Sequence, residues 1–275
     1  MPTPSASCIV RLEYRGVTMR FAGRHGGGSL TAVHDVSFSV RDGEVVSLIG
    51  PSGCGKSTLL NIGSGLTAPS EGAAFVGGER VVGPNAHVAF MLQKDLLLPW
   101  RTVAENVMFG VEIQRVPLGE RKRRAAALLQ KFNLAEFSGH YPRQLSGGMR
   151  QRIALARTLA VDPHVLLLDE PFSAVDAQTR IVLQSDLART LSEAQKTALL
   201  ITHDLHEAVT LSDRVLVMSQ RPGSLIDEIA IDIPHRDTPL ARRSNPKVNE
   251  YVARLMEHLG IAHAASGREP AGDAA

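Results

Sequence analysis

The sequence predicts an α/β fold built on a parallel sheet with helices on its faces. Short apolar runs such as Val45–Ile49 and Val165–Leu168 have the pattern of strands that are buried on both sides. Helical stretches alternate with such runs in the second half of the chain, which favours βαβ units. The start of the chain reads as strands, and the middle changes to helical spacing. We therefore predict an N-terminal antiparallel β subdomain and an α-helical subdomain inserted at about residues 96–160.

Local periodicity and turn residues place the individual elements. The predicted strands are Val10–Glu13, Val17–Phe21, Val33–Val40, Val45–Ile49, Ala73–Val76, Arg80–Val82, Val88–Leu92, Val165–Leu168, Ala198–Thr202 and Arg214–Met218. The predicted helices are Lys56–Gly65, Met149–Ala160, Ala177–Glu193, Leu205–Leu211 and Val248–Leu259. Gly23–Ser29 is predicted to be a flexible surface loop. We expect a main domain at residues 9–233 and a C-terminal extension at 234–275, with a helix at about 247–259 and a disordered tail, Ala262–Ala275.

The composition is that of an ordinary globular protein. Of 275 residues, 44% are hydrophobic and 21% are charged, so the chain can bury a sizeable core. A net charge of +2 is too small for the strong field of a nucleic-acid-binding protein. The two cysteines, Cys8 and Cys54, lie far apart without metal-ligand spacing, which predicts neither disulfides nor zinc and fits a reducing cytosol. Neither a signal peptide nor an apolar stretch of about 20 residues is recognisable, so we expect any work at a membrane to be done from the aqueous side.

A glycine-rich segment between Val45–Ile49 and the next helix fits the phosphate-loop pattern G-x-x-x-x-G-K-[ST]. Its glycines let backbone N–H groups form an anion-binding nest at the positive end of a helix. Lys56 supplies a charge for the β- and γ-phosphates, Ser57 can bind Mg²⁺, and Cys54 is interpreted as a small spacer. A chance match to a glycine-rich turn is the alternative, which the flanking strand and helix disfavour. The predicted phosphate-binding residues are Gly50, Pro51, Ser52, Gly53, Cys54, Gly55, Lys56, Ser57 and Thr58.

Two acids follow the apolar strand Val165–Leu168. In open α/β sheets, ligands collect at the carboxyl ends of the strands, where Asp169 and Glu170 lie. Asp169 suits a role in holding Mg²⁺, and Glu170 suits a general base that polarises an attacking water near the γ-phosphate. A strand that simply ends in a solvated acidic turn is the alternative, and the phosphate loop upstream makes it the weaker one.

A second glycine-bearing helix start occurs at Gln144–Arg152, which reads QLSGGMRQR. Ser146, Gly147 and Gly148 would open a helix and form another anion-binding N-terminus. This segment resembles the signature motif of the ABC transporter ATPases. The resemblance implies a P-loop NTPase core of the RecA-like kind. A capped helix start without a ligand would be the alternative if the motif stood alone.

Other residues resemble further motifs of this family, over roughly residues 9–225. Gln93 follows a strand as the Q-loop glutamine does, and His203 lies where the family has its switch histidine. Ser173–Asp176 resembles the D-loop, with Val175 where leucine is commoner. Phe21 resembles the aromatic residue that stacks on adenine, although tyrosine is more frequent there.

The resemblance implies a mechanism. Two copies would align head to tail, and each ATP would lie between the Lys56 loop of one copy and Ser146–Gly148 of the other. Glu170, His203, Gln93 and Lys56 would be catalytic, while Ser57, Asp169 and Gln93 would hold Mg²⁺. Phe21, Asp176 and His203 would complete the nucleotide-binding set. The expected partners are transmembrane permease subunits and, indirectly, a substrate-binding protein, with the ATPase peripheral on the cytoplasmic face of the inner membrane.

The segment Asp95–Asn106 and the run Arg221-Pro222-Gly223 resemble the nitrate, sulfonate and taurine import group. Trp100, the only tryptophan, is either a permease contact or an anchor of the helical subdomain. The basic run Arg121–Arg124 is interpreted as a solvated helix face. The alternative function, an ABC ATPase acting on nucleic acid or ribosomes, is disfavoured because the chain has no heptad insertion and a single ATPase half. A GTPase or kinase would leave the signature unexplained.

Overall fold

The computed structural model describes residues 9–22, 28–173 and 175–260. The strands are β1 (Val10–Phe21), β2 (Leu30–Arg41), β3 (Val45–Ile49), β4 (Glu71–Val76), β5 (Glu79–Arg80), β6 (Val88–Met91), β7 (Val165–Asp169), β8 (Thr197–Ile201), β9 (Arg214–Met218) and β10 (Leu225–Ala230). The α-helices are α1 (Lys56–Gly63), α2 (Val103–Ile113), α3 (Leu118–Lys131), α4 (Gly147–Ala160), α5 (Ala177–Glu193), α6 (Leu205–Leu211), α7 (Pro239–Arg243) and α8 (Lys247–His258).

The N-terminal strands form a four-stranded antiparallel sheet in the order β2-β1-β4-β5, as predicted. The two strands predicted on either side of Gly16 are one continuous strand, so that prediction was wrong. The chain stays paired through this region by changing register between Tyr14 and Val17, where Gly16 adopts a φ of +57°. The expected strand Arg80–Val82 is shorter than predicted, and Val82 is exposed.

The second sheet has six strands in the order β10-β9-β3-β8-β7-β6, and all but β10 run parallel. The central strands β3 and β8 are buried at every position, which explains why all their residues except Ser47 and Thr197 are apolar. The sequence analysis missed β10. This edge strand pairs antiparallel with β9 and has only one buried residue, Ile229, so its sequence lacks the apolar run that marks the other strands.

Helices α2, α3 and α4 lie between β6 and β7 in the chain and share one hydrophobic cluster with a face of the six-stranded sheet. Helix α2 begins with a capping box in which Thr102 and Glu105 satisfy each other's backbone N–H groups. Buried Asn106 donates to the carbonyls of Leu98 and Arg101, which holds the loop before the helix. A second cluster fills the space between the two sheets and includes α1.

The last described segment packs on the core. Val248, Val252 and Leu255 of α8 share a cluster with α6 and with β9 and β10. Helix α7, which was not predicted, contributes the buried Arg242. The predicted domain boundary at residue 233 stays a prediction. Cys8, most of the Gly23–Ser29 loop and the tail Ala262–Ala275 lie outside the described residues. Among the residues that are described, no helix has the length and apolarity that crossing a bilayer requires.

Candidate ATP site

The predicted phosphate loop leads from the end of β3 at Ile49 to α1, which begins at Lys56. Gly55 precedes the helix with a φ of +101°, and no side chain of the described residues caps the first turn. A Cβ atom at Gly55 would lie 2.4 Å from Val33 Cγ2, so β2 leaves no room for a side chain there. The helix therefore opens with backbone N–H groups that are available to an anion.

Lys56 is 9% exposed and folds back over the loop. Its Nζ donates to the carbonyl oxygens of Gly50 at 2.7 Å and Pro51 at 3.0 Å. The ammonium group is thus held beside the uncapped start of α1. The positive charge of Lys56 and the partial positive charge of the helix N-terminus therefore lie together, where both can contact a phosphate.

A cavity of about 310 Å³ opens beside this loop, a volume at the lower end of the range for small-molecule sites. Phe21, the predicted adenine-stacking residue, lies on its rim and is 42% exposed. Leu30 and Ala32 of β2, which the sequence analysis did not single out for a site, add apolar surface. The residues that line the cavity are Phe21, Leu30, Ala32, Ser52, Gly53, Gly55, Lys56, Ser57, Thr58, Glu170 and Arg221.

Arg221 is a cavity residue that the sequence analysis noted only for its resemblance to one import group. Its Nε and Nη2 donate to the Gly53 carbonyl at 3.0 and 2.9 Å. The chain then passes so close to the phosphate loop that a Cβ at Gly223 would lie 1.8 Å from the Cys54 carbonyl. Because 168 residues separate Arg221 from Gly53, no local pattern could have predicted this contact.

The predicted metal ligands Ser57 and Asp169 contact each other. Ser57 Oγ donates to Asp169 Oδ1 at 3.3 Å. Oxygen ligands that share an octahedral Mg²⁺ ion at about 2.1 Å lie roughly 3 Å apart, so this pair suits that ion. Burial raises the pKa of Asp169, and the Ser57 hydrogen bond opposes that shift. The Glu170 charge raises the pKa further, whereas Lys56 lowers it.

Two predicted catalytic residues contact the carboxylate of a third. Gln93 Nε2 donates to Glu170 Oε2 at 2.9 Å, and His203 Nδ1 lies 3.3 Å from the same oxygen. Glu170 has a φ of +46°, which turns its side chain out of the line of β7. Gln93 and His203 follow β6 and β8, the strands on either side of β7, so the parallel sheet brings the three ends together.

The signature residues lie away from this cavity. Ser146 caps α4 by accepting a hydrogen bond from Met149 N at 3.3 Å, which begins the helix at Gly147, two residues earlier than predicted. Gly147 lines a different cavity, of about 750 Å³, together with Gln93 and Ser173. The cavity beside the phosphate loop thus receives no signature residue from its own chain.

The predicted D-loop leads into α5, although Ala174 lies outside the described residues. Asp176 caps α5 by accepting from Thr179 N at 3.0 Å, and this bond lowers the pKa of Asp176. Gly148 packs against the same helix start, because a Cβ there would lie 2.6 Å from Thr179 Cγ2. The signature helix and the D-loop helix therefore begin side by side.

The model of the ABC transporter family matches residues 33–173. An uncharacterized ABC transporter ATP-binding protein of Methanocaldococcus jannaschii is 43% identical over 91% of this chain and 91% of its own length. This chain belongs to the ABC transporter family. The taurine import ATP-binding protein TauB of a Jannaschia species is 42% identical over 91% of this chain and 93% of its own. A dimeric structure of the ATP-binding cassette MJ0796, bound to ADP and Pi after hydrolysis, matches with a TM-score of 0.72 at 30% identity, over 81% of this chain and 99% of that one.

The family assignment makes this cassette an ATPase and the ATP-binding subunit of an ABC transporter. The predicted α/β fold is confirmed by the two sheets and by the match to solved cassettes. The predicted roles of individual residues, including Gln93 as a metal ligand, stay predictions.

Proposed function

We propose that this cassette forms a homodimer that drives import of a small anion, of the nitrate, sulfonate or taurine kind, through separate permease subunits. The observation that carries the dimer is the position of the signature. Ser146–Gly148 open a helix outside the phosphate-loop cavity of their own chain, so each ATP site lacks one anion-binding surface. A second copy in head-to-tail orientation supplies that surface to each site, and two-fold symmetry completes both sites at once.

In this proposal each chain contributes a defined set of groups to hydrolysis. The N–H groups at the start of α1 and the Lys56 ammonium bind the β- and γ-phosphates. Glu170 accepts a proton from the attacking water, and Gln93 and His203 orient its carboxylate through the contacts on Oε2. Phe21 offers its ring to the adenine from the rim of the cavity.

Ser57 and Asp169 are the residues that would hold Mg²⁺. When bound with ATP, the ion would supply positive charge that stabilises the negative charge of the phosphates. Ser57 and Asp169 present one hydroxyl and one carboxylate oxygen at a spacing that such an ion requires.

The transport role and the anion class rest on relatives. TauB proteins of Jannaschia and Yersinia pestis are named as taurine import ATP-binding proteins, at 42% identity. The chain segment Asp95–Asn106, with the 71% exposed Trp100, offers a surface for a permease. We place the cassette on the cytoplasmic face of the inner membrane, with a substrate-binding protein on the other side.

The test disables the base while leaving the ATP site intact. We expect Glu170→Gln to lower ATP turnover by at least about a hundredfold, because an amide cannot accept the proton. The same variant should hold ATP and Mg²⁺ in a stable dimer, detected by size-exclusion chromatography with light scattering. Lys56→Ala in the same background should lose the dimer by losing nucleotide.

Glu79→Gln is the matched control, since Glu79 is exposed on β5, at the edge of the antiparallel sheet opposite β2, and should leave turnover unchanged. Wild-type turnover in Glu170→Gln would remove Glu170 from the base role. A strictly monomeric Glu170→Gln protein, alone and with its permease, would overturn the proposed head-to-tail dimer.

Affinity purification from native membranes tests the transport role and should recover a permease. Recovery of ribosomes or DNA in its place would overturn that role.

A further inference from the structure

Two polar contacts join α5 to the first turn of α6, which follows the switch histidine, His203. Arg180 and Gln184 lie one turn apart on α5 and therefore face the same neighbour. Arg180 Nη1 lies 3.8 Å from Asp204 Oδ2, and Gln184 Nε2 donates to Glu207 Oε2 at 3.2 Å. We call these two contacts the α5–α6 ladder.

The contact between Gln184 and Glu207 is buried. Gln184 is 1% exposed and Glu207 is 3% exposed. A buried amide or carboxyl that loses its partner cannot turn to water, so separation of the two helices is strongly opposed. Gln184 also accepts from Arg243 Nη2 at 2.9 Å, which ties α7 to the same point.

Each end of the ladder leads to a loop of the ATP site. Asp204, next to His203, caps α6 by accepting from Glu207 N at 3.1 Å. On the α5 side, Arg180 Nη2 donates to the Val175 carbonyl at 3.2 Å, next to the capping residue Asp176. The ladder therefore links the switch loop to the D-loop, although 27 positions separate Asp176 from His203 in the chain.

Residues of the ladder and the catalytic carboxylate line the same small void. A void of only about 10 Å³ lies among Glu170, His203, Asp204 and Glu207. Because packed groups have little room to move independently, a shift of α6 changes the distance from His203 to Glu170.

We propose that Gln184 and Glu207 are positioning residues for ATP hydrolysis, which hold His203 against Glu170 and make the switch loop and the D-loop move as one unit. This inference rests on the proposed roles of Glu170 and His203. It assigns a function to two buried side chains that do not line the phosphate-loop cavity.

The inference is tested by a double-mutant cycle on ATP turnover with Gln184→Ala, Glu207→Ala and the double variant. We expect each single variant to lower kcat about tenfold, because His203 loses its fixed place, while KM for ATP stays within about twofold. The double variant should be no slower than the slower single variant, since both remove the same contact.

Two further variants separate positioning from folding. Glu207→Gln keeps an oxygen that can accept from Gln184 Nε2, so kcat should recover to within about twofold of wild type. Gln184→Met keeps the volume but removes the donor to Glu207 and the acceptor for Arg243, so kcat should fall about tenfold in a protein that stays folded, as measured by its melting temperature. These two variants decide the matter even where the alanine variants do not fold.

Glu79→Ala, on the exposed edge strand β5, is the matched control for loss of a glutamate and should leave kcat unchanged. Wild-type kcat in Gln184→Met, or additive losses in the cycle, would overturn the inference. Failure of wild-type protein to hydrolyse ATP, or full turnover in Glu170→Gln, would instead overturn the proposed function. Full loss in Glu170→Gln with unaffected ladder variants would overturn the ladder's role alone.

Discussion

Glu170 illustrates how single side chains depend on their surroundings. Its sequence position at the end of an apolar strand predicts a carboxylate at the sheet edge. In the structure Glu170 has a left-handed backbone at the end of β7. Gln93, which donates to its carboxylate, follows β6, and the nearby His203 follows β8. Arg221 is the opposite case, because its contact with Gly53 has no sequence signal at all.

The buried carboxyl of Glu207 makes stability depend on pH. Burial raises its pKa to about 8, and the Asp204 charge also raises it, while Arg180 lowers it. Glu170 and His203 face it across the small void. In the folded protein Glu207 thus stays protonated up to about pH 8, whereas the ordinary pKa of a glutamate is 4.5. Protonated Glu207 contributes its full stabilisation of the fold below pH 4.5. That contribution decreases as the pH rises and is lost as the pH passes through about 8.

Glu207→Gln should remove this dependence, because an amide does not titrate. We expect the melting temperature of wild type, relative to that of Glu207→Gln, to fall steadily as the pH rises from 5 to about 8.5. Thermal unfolding of both proteins across this range measures the effect, and other titrating groups cancel in the difference. Parallel melting curves at all pH values would contradict the raised pKa.

The start of α1 shows how an element is placed by its neighbours. The phosphate-loop pattern predicts the strand and helix, and both are confirmed. Gly55 is required for two reasons, its positive φ and the approach of Val33 and Ala32 from β2. The first reason is readable from the motif, whereas the second depends on a sheet formed by a distant part of the chain.

Gly55→Ala should therefore destabilise the protein by about 3 kcal/mol, through both backbone strain and the clash with Val33. Denaturant unfolding measures the change. Gly78→Ala is the control, because Gly78 also has a positive φ, of +86°, but a Cβ there would have no atom of the described residues within 4 Å. It should lose only about 1 kcal/mol. Equal losses in the two variants would show that the approach of β2 does not matter.

The last described helices, α7 and α8, pack against earlier parts of the chain. Arg242 of α7 is 3% exposed and donates to carbonyls at the end of α6 and beyond, including Ser212 O at 2.8 Å and Ile233 O at 2.8 Å. These carbonyls would otherwise be buried without partners. Through this arginine, α7 supports α6, the helix that follows His203.

Arg242→Met should lower the free energy of unfolding by about 3 kcal/mol, since it leaves several buried carbonyls unpaired. Chemical denaturation provides the measurement. Arg254→Met is the control, because Arg254 is half exposed and pairs with Asp227 at the surface, and it should cost less than about 1 kcal/mol. If the two substitutions cost the same, the buried contacts of Arg242 contribute little.

By itself the sequence determined the phosphate loop, the two acids, the signature, most strands and the helices around them, because each depends on neighbouring residues and a local period. The tertiary structure alone decided that Gln93 and His203 contact Glu170, that Arg221 contacts Gly53, and that Ser146–Gly148 lie outside the cavity beside the phosphate loop. It also decided the edge strand β10, which pairing with β9 creates from a weak pattern. Contacts of this kind join residues far apart in the chain, and only the packing of strands and helices brings them together.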